Sequence, residues 1–172
     1  MDLITGSMVP AMDEVGRLFE TEEYFVLELL LAGRAMNDAM ELLRPLMAMS
    51  GEKLAIRIVI GTVKGEMHDI GKNIVSSMLE GSGFEVIDLG SDVAPEKFAA
   101  AVEEYKPQVI CLSALLTVTM PSMKTTIDVL HTAGLLTRVK VLIGGAPVTG
   151  QYAKQIGADG YSDCASEVRQ RA

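Results

Sequence analysis

The chain has 172 residues, of which 49% are hydrophobic and 22% charged, with a formal net charge of −8. That length carries one medium domain, or one domain with a small helical annex, and the hydrophobic share describes a packed core rather than a disordered chain. The acidic balance offers no basic stripe to track phosphates and nothing basic and amphipathic for a membrane surface, which excludes nucleic-acid and membrane binding by bulk electrostatics.

Residues 1–50 show apolar positions at helical spacing and no alternating runs. Met8, Met12, Val15 and Phe19 fit one helix face. Leu27, Leu30, Leu31, Met36 and Met40 fit a second helix, predicted to close at Arg44-Pro45 because proline disfavours helix in the residue before it. Two such helices are half a bundle, so they pack on the remainder of the chain or on further helices in front. Eleven methionines and no tryptophan describe flexible core filler.

The chain changes character at Ser50-Gly51-Glu52, and residues 51–172 read as repeated strand–helix units. Predicted strands run from Leu54 to Ile60, Phe84 to Leu89, Val109 to Ser113 and Val139 to Ile143, with a weak fifth at Gly160-Tyr161. Helices are predicted from Ile70 to Glu80 (stopped by Gly81 and Gly83), Pro95 to Tyr105, Pro121 to Thr132 and Thr149 to Ile156, with another starting at Ser166. Near-continuous apolar strands alternating with helices specify a parallel sheet covered on both faces. The expected fold is therefore a doubly wound five-stranded α/β domain of flavodoxin or Rossmann type, behind a partial helical-bundle cap. Cys111 lies within an apolar run, Cys164 lies far from it, and no C-x-x-C pair occurs. These features point to reduced thiols in a cytoplasmic protein, as does the lack of a signal peptide and of any apolar run near the roughly 20 residues of a membrane span.

Ligands of such sheets bind beyond the carboxyl ends of the strands. That rule selects Gly61 to Gly71, Ser113 to Pro121, Gly144 to Pro147 and Tyr161 to Ser166. The first segment runs into the stretch Gly65-Glu66-Met67-His68-Asp69-Ile70-Gly71-Lys72-Asn73, with one of only two histidines. It fails the G-x-G-x-x-G dinucleotide pattern, since bulky Glu66 and His68 stand where backbone must approach a pyrophosphate. It fails the P-loop, since Asn73 replaces the magnesium-binding hydroxyl. A phosphoacceptor receiver needs acidic residues where Thr62 and Ser113 stand. Zinc needs further soft ligands, and His131 reads as a cation near a helix C-terminus. Two readings stay open: a structural loop histidine, or a single protein ligand to a metal that brings its other ligands. In the second, Glu66 would hold the other ring nitrogen.

Glu66-x-His68-x-x-Gly71, then Ser113-x-Leu115 with Thr117, then Gly144-Gly145 resembles the D-x-H-x-x-G, S-x-L and G-G signature of cobalamin-binding domains. The surrounding residues, Met67 to Asn73 and Ser113 to Pro121, are similar to corrinoid proteins of methyltransferase systems that serve methylamines, methanol or aryl methyl ethers. Methionine synthase carries a related module. The resemblance implies cobalamin or a related corrinoid bound base-off, with His68 as the cobalt axial ligand and Glu66 with Ser113 as the relay behind it. It implies that Met67, Asp69, Ile70 and Gly71 belong to the cofactor site, that Leu115, Thr117 and Thr119 line a channel for the nucleotide tail, that Gly144 and Gly145 let the tail approach backbone, and that Ala165 touches its far end. Phe25 becomes the apolar shield over the methyl group. The implied role is a methyl carrier between a substrate-specific methyltransferase and a second methyltransferase acting on a thiol or reduced pterin, with a reductive activation protein as a further partner. The cobalamin domain of a radical mutase and a cobalamin-responsive sensor share the motifs and are the alternatives. Two departures stand out: Glu66 replaces the usual aspartate, and residues 1–45 resemble only the later helices of a four-helix cap. The expectation is a cap shortened at its N-terminus, with its methionine-rich face left bare.

Overall fold

The computed structural model describes residues 3–49, 56–81 and 84–161. The helical segment begins with a π-helical turn, Ile4–Met8, that runs into α1 (Val9–Glu20), and α2 follows at Val26–Met49. The α/β part is β1 (Arg57–Thr62), α3 (Ile70–Gly81), β2 (Glu85–Asp88), α4 (Pro95–Tyr105), β3 (Val109–Ser113), α5 (Pro121–Thr132), β4 (Lys140–Gly144), α6 (Gly150–Ile156) and β5 (Gly160–Tyr161). The helix expected at Ser166, the Gly83 stop and Ala165 lie outside the described residues.

The five strands form one parallel sheet in the order β2-β1-β3-β4-β5. Strand order reverses between β1 and β3, the switch point where doubly wound sheets bind ligands. One face packs on α4, α5 and α6 through Val59, Ile110, Leu112, Val141 and Ile143 against Phe98, Met123, Leu130 and Ile156. The other face carries Ile58, Ile60, Val109, Cys111 and Leu142 and is covered by Leu79 and Val75 of α3. Burial on both faces explains why the strands read as continuous apolar runs. Local signals set the helix ends. Pro95 opens α4, left-handed Lys106 closes it, and the Thr149 hydroxyl caps α6 by accepting from the Tyr152 N–H at 3.1 Å.

The α2 helix departs from expectation in two ways. It continues through Pro45 to Met49 instead of closing there. A helical proline forfeits one backbone bond and costs about 3 kcal/mol, which the packing of the preceding turns along α3 offsets. The contact is close: a Cβ on Gly33 would lie 2.9 Å from the Ser77 Cβ, so glycine lets α2 settle against α3. Its apolar face also differs. Met36 and Met40 are buried with Met12 of α1, whereas Leu27, Leu30 and Leu31 stay exposed. Met12, Met36 and Met40 are therefore core filler, and the bare surface of α2 is leucine-rich. No helix among the described residues is long and apolar enough to cross a membrane.

Candidate functional site

The loops after β1 and β3 meet at the switch point, and Glu66 joins them. Its side chain is 0% exposed. Oε1 accepts from the His68 N–H at 3.1 Å and lies 2.5 Å from His68 Nδ1. Oε2 accepts from the N–H groups of Leu115 at 2.9 Å and Leu116 at 3.0 Å, and from the Thr119 hydroxyl at 2.8 Å. The backbone is held as firmly: the Glu66 carbonyl accepts from Thr62 Oγ1 at 2.9 Å and from the Asp92 N–H at 2.8 Å. Burial is the largest single influence on the Glu66 carboxyl and would raise its pKa. The bonds from His68, Leu115 and Thr119 together outweigh burial and hold it well below the usual carboxylate range. Glu66 is a carboxylate throughout the neutral range.

A carboxylate on Nδ1 fixes the imidazole. In the neutral ring Nδ1 keeps the proton and Nε2 keeps the lone pair, the arrangement that suits a metal ligand. His68 is half exposed, and its Nε2 bonds to none of the described residues. Among the described residues no group of three or more His, Cys, Asp or Glu side chains could hold a metal ion. His131 sits exposed in the last turn of α5, as a helix C-terminal cation would.

A cavity of about 610 Å³ opens beside His68. Its mouth is formed by Met67, His68, Asp69, Ile70 and Gly71 after β1, Ser113 and Leu115 after β3, and Gly144 and Gly145 after β4. Parallel register explains the convergence. Thr62, Ser113 and Gly144 are neighbours across the sheet, and Ile60, Cys111 and Leu142 form the row below. Ile60, Cys111 and Leu142 line the interior together with Val75 of α3 and Tyr161. Burial pushes the Cys111 thiol up to about 12, so it lines the cavity as a small apolar group.

The hydroxyls that follow β3 differ from expectation. The partner behind Glu66 is Thr119, not Ser113, and Ser113 lines the cavity wall instead. Thr119 therefore backs the carboxylate rather than lining a channel, and Thr117 is exposed away from the cavity lining. Phe25 precedes α2, donates its N–H to Glu28 Oε2 at 3.0 Å and is 68% exposed, outside the cavity lining. Gly145 is required by the fold itself: at φ +129° a Cβ would lie 1.9 Å from the Ala114 carbonyl oxygen.

Two contributors escaped the sequence reading. Asp92 braces the loop from the β2–α4 side. Lys72, with a side chain 1% exposed, lines the cavity and pairs with Asp88 and Asn73 Oδ1. A buried cation in the first turn of α3 opposes the helix dipole, which was the one hint that it was not a solvated lysine.

A doubly wound sheet with a carboxylate-held imidazole at the mouth of an apolar cavity defines a cofactor-binding domain. Residues 56–168 match the B12 binding domain family, and residues 1–44 match a second B12 binding domain family that covers the helical segment. The chain is 43% identical over 173 residues to dimethylamine corrinoid protein 1 of Methanosarcina acetivorans, covering 99% of this chain and 81% of that one. Among solved structures, a cobalamin-binding protein from Desulfitobacterium hafniense matches with a TM-score of 0.84 and 41% identity, covering 99% of this chain and 81% of that one. A chain of the methanol:cobalamin methyltransferase complex from Methanosarcina barkeri matches at 0.81 and 31% identity, covering 98% of this chain and 64% of that one. The chain belongs to the corrinoid proteins of methyltransferase systems, and its cofactor is cobalamin or a related corrinoid. The residues fit that group. An imidazole nitrogen that bonds to none of the described residues suits a metal whose other ligands arrive with it, and the apolar cavity falls within the roughly 300–1,000 Å³ of small-molecule sites.

Proposed function

We propose that this chain is a methyl carrier that binds its corrinoid base-off, with His68 as the cobalt axial ligand and the nucleotide tail in the cavity beside it. The observation that carries the reading is the Glu66–His68 pair: Nδ1 is committed to a buried carboxylate, Nε2 bonds to none of the described residues, and His68 lines the cavity. The bound cobalt supplies the chemistry, accepting and releasing a methyl group; the protein supplies binding, orientation and electrostatics. His68 presents a lone pair of fixed direction. Glu66 holds the Nδ1 proton and raises the basicity of the ring. Ile60, Val75, Cys111 and Leu142 exclude water from the channel, with Leu115 at its rim. Phe25, exposed and apolar at the start of α2, is kept as the shield over the methyl group.

The partners of such a carrier are a substrate-specific methyltransferase, a second methyltransferase acting on a thiol or reduced pterin, and a reductive activation protein. Relatives named for dimethylamine and trimethylamine favour a methylamine as donor. The buried thiol of Cys111 suits a reducing cytoplasm. Reconstitution with hydroxocobalamin and reduction to cobalt(II) tests the axial ligand. Electron paramagnetic resonance should show nitrogen superhyperfine coupling in the wild type and none in His68→Ala. An unchanged spectrum in the variant rules the reading out.

A further inference from the structure

The β2–α4 loop grips the His68 loop from the side opposite β3. Asp92 bonds three consecutive residues of it. Its Oδ2 accepts from Lys64 Nζ at 3.0 Å, its Oδ1 accepts from the Gly65 N–H at 2.8 Å, and its own N–H donates to the Glu66 carbonyl at 2.8 Å. The same N–H lies 3.2 Å from Thr62 Oγ1, whose hydroxyl donates to that carbonyl as well. One residue on, the Val93 N–H donates to the Thr62 carbonyl at 3.0 Å and extends the β1 pairing across the two loops.

The clamp holds an unfavourable backbone. Asp92 has φ +53° and Gly65 has φ +86°, both in the left-handed region that most side chains avoid and that aspartate tolerates better than most. Two left-handed residues on separate loops, tied by one carboxylate, form a brace rather than a chance surface contact. The Lys64–Asp92 ion pair is exposed at both ends and by itself contributes little. The weight falls on the bond to Gly65. Through it the β2–α4 loop fixes the backbone of Glu66, just as the β3–α5 loop fixes its carboxylate. Glu66 presents Oε1 to the imidazole only while both hold.

We infer that Asp92 is a positioning residue for His68, gripping Lys64, Gly65 and Glu66 so that the imidazole is presented in one orientation to the bound metal. The inference rests on His68 being the axial ligand. Asp92 does not line the cavity, and its bonds run to Lys64, Gly65, Glu66 and Thr62 rather than to His68, so its effect must pass through the loop backbone.

The test uses the full chain as wild type, D92G, D92N and K64A, each reconstituted with hydroxocobalamin and reduced to cobalt(II). D92G removes both carboxylate bonds while keeping the left-handed backbone easy. D92N keeps an acceptor for the Gly65 N–H, and K64A removes only the surface ion pair. The fraction of cobalt(II) with nitrogen coupling should fall at least three-fold in D92G, with corrinoid still bound by absorbance, and stay at the wild-type level in D92N and K64A. In the unloaded protein, exchange of the Gly65 amide should quicken at least ten-fold in D92G alone. If D92G does not fold, Asp92→Ser serves in its place and should show less nitrogen coupling than D92N. Full coupling in D92G, or in Asp92→Ser where that replaces it with an unprotected Gly65 amide, overturns the inference. So does a loss in D92N or K64A equal to that in D92G. A wild type without nitrogen coupling overturns the axial-ligand reading, and this inference with it.

Discussion

Glu66→Gln replaces one carboxylate oxygen with an NH₂ group at nearly constant volume. All five groups around the carboxylate are donors: the His68 N–H and Nδ1–H on one oxygen, and the Leu115 N–H, Leu116 N–H and Thr119 hydroxyl on the other. The amide oxygen serves the three-donor side, so the NH₂ faces His68. There it opposes the backbone N–H, donor against donor, and can be accommodated by the ring only if Nδ1 becomes the acceptor. The proton moves to Nε2, and the lone pair that would bind a metal is lost. One unsatisfied buried N–H costs about 1–3 kcal/mol, and three charge-assisted bonds made neutral lose about 1 kcal/mol each. Burying an amide in place of a charge offsets part of this, which leaves a net loss of about 2–4 kcal/mol. Urea unfolding of the unloaded protein at pH 7 measures the loss, and the ¹⁵N shifts of His68 report the tautomer. A loss below about 0.5 kcal/mol, or an Nε2 still unprotonated in the variant, refutes this account of the pair. The pH dependence has a definite sign. The folded carboxyl titrates below its unfolded value of about 4.3, so the unfolded chain binds more protons between the two values and stability rises with pH there. The gap between wild type and variant is full above about pH 4.3 and narrows as pH falls through the folded value.

Lys72→Met replaces a buried amine with an apolar side chain of similar length, and Asp88 returns to solvent, so stability should change by less than about 1 kcal/mol. Asp88→Ala strands the buried ammonium with Asn73 alone and should cost about 3 kcal/mol more by urea unfolding; equal losses would show that the pair is not what places Lys72 there. Gly145→Ala should lose well over 1 kcal/mol (roughly, for a side chain forced into a left-handed site) or fail to fold, because its Cβ meets the Ala114 carbonyl; a melting temperature within about 2 °C of wild type counts against that contact. Glu66→Asp withdraws the carboxylate while Thr62 and Asp92 still hold the backbone, so one of the two donor groups loses contact at about 1–3 kcal/mol; urea unfolding that matches wild type would mean the backbone follows the shorter side chain.

Much of the fold was legible because its punctuation is local. Pro95–Tyr105, Val109–Ser113 and Pro121–Thr132 form as predicted to the residue, since proline at the first helical turn and an apolar run buried on both faces depend on little beyond their own stretch of chain. The end of α2 was misread because proline's local preference lost to packing along α3. The choice between Ser113 and Thr119 was not readable from composition, since both hydroxyls follow β3. It is settled by the turn in which the Thr119 N–H donates to the Leu116 carbonyl at 3.0 Å and brings that side chain back to Glu66. Asp92 and Lys72 were missed for a related reason. Each looks like an ordinary solvated charge in sequence, and each takes its meaning from a partner on another loop or strand.

The imidazole and the carboxylate differ in what the fold asks of them. Glu66 is fully buried, ties two loops across the switch point and is held by donors from both. His68 is 54% exposed and supplies the carboxylate with one side-chain donor besides a backbone N–H that any residue would provide. Removing the ring leaves Oε1 still bonded to that N–H and Oε2 with all three of its donors. A half-exposed group with one replaceable bond is worth about 1 kcal/mol or less to stability, against the several that Glu66 carries. The fold therefore spends a buried, fully satisfied carboxylate on orienting a ring that it does not itself need. That asymmetry is what the proposed axial-ligand role of His68 requires; a structural loop histidine would gain nothing from the orientation of Nε2.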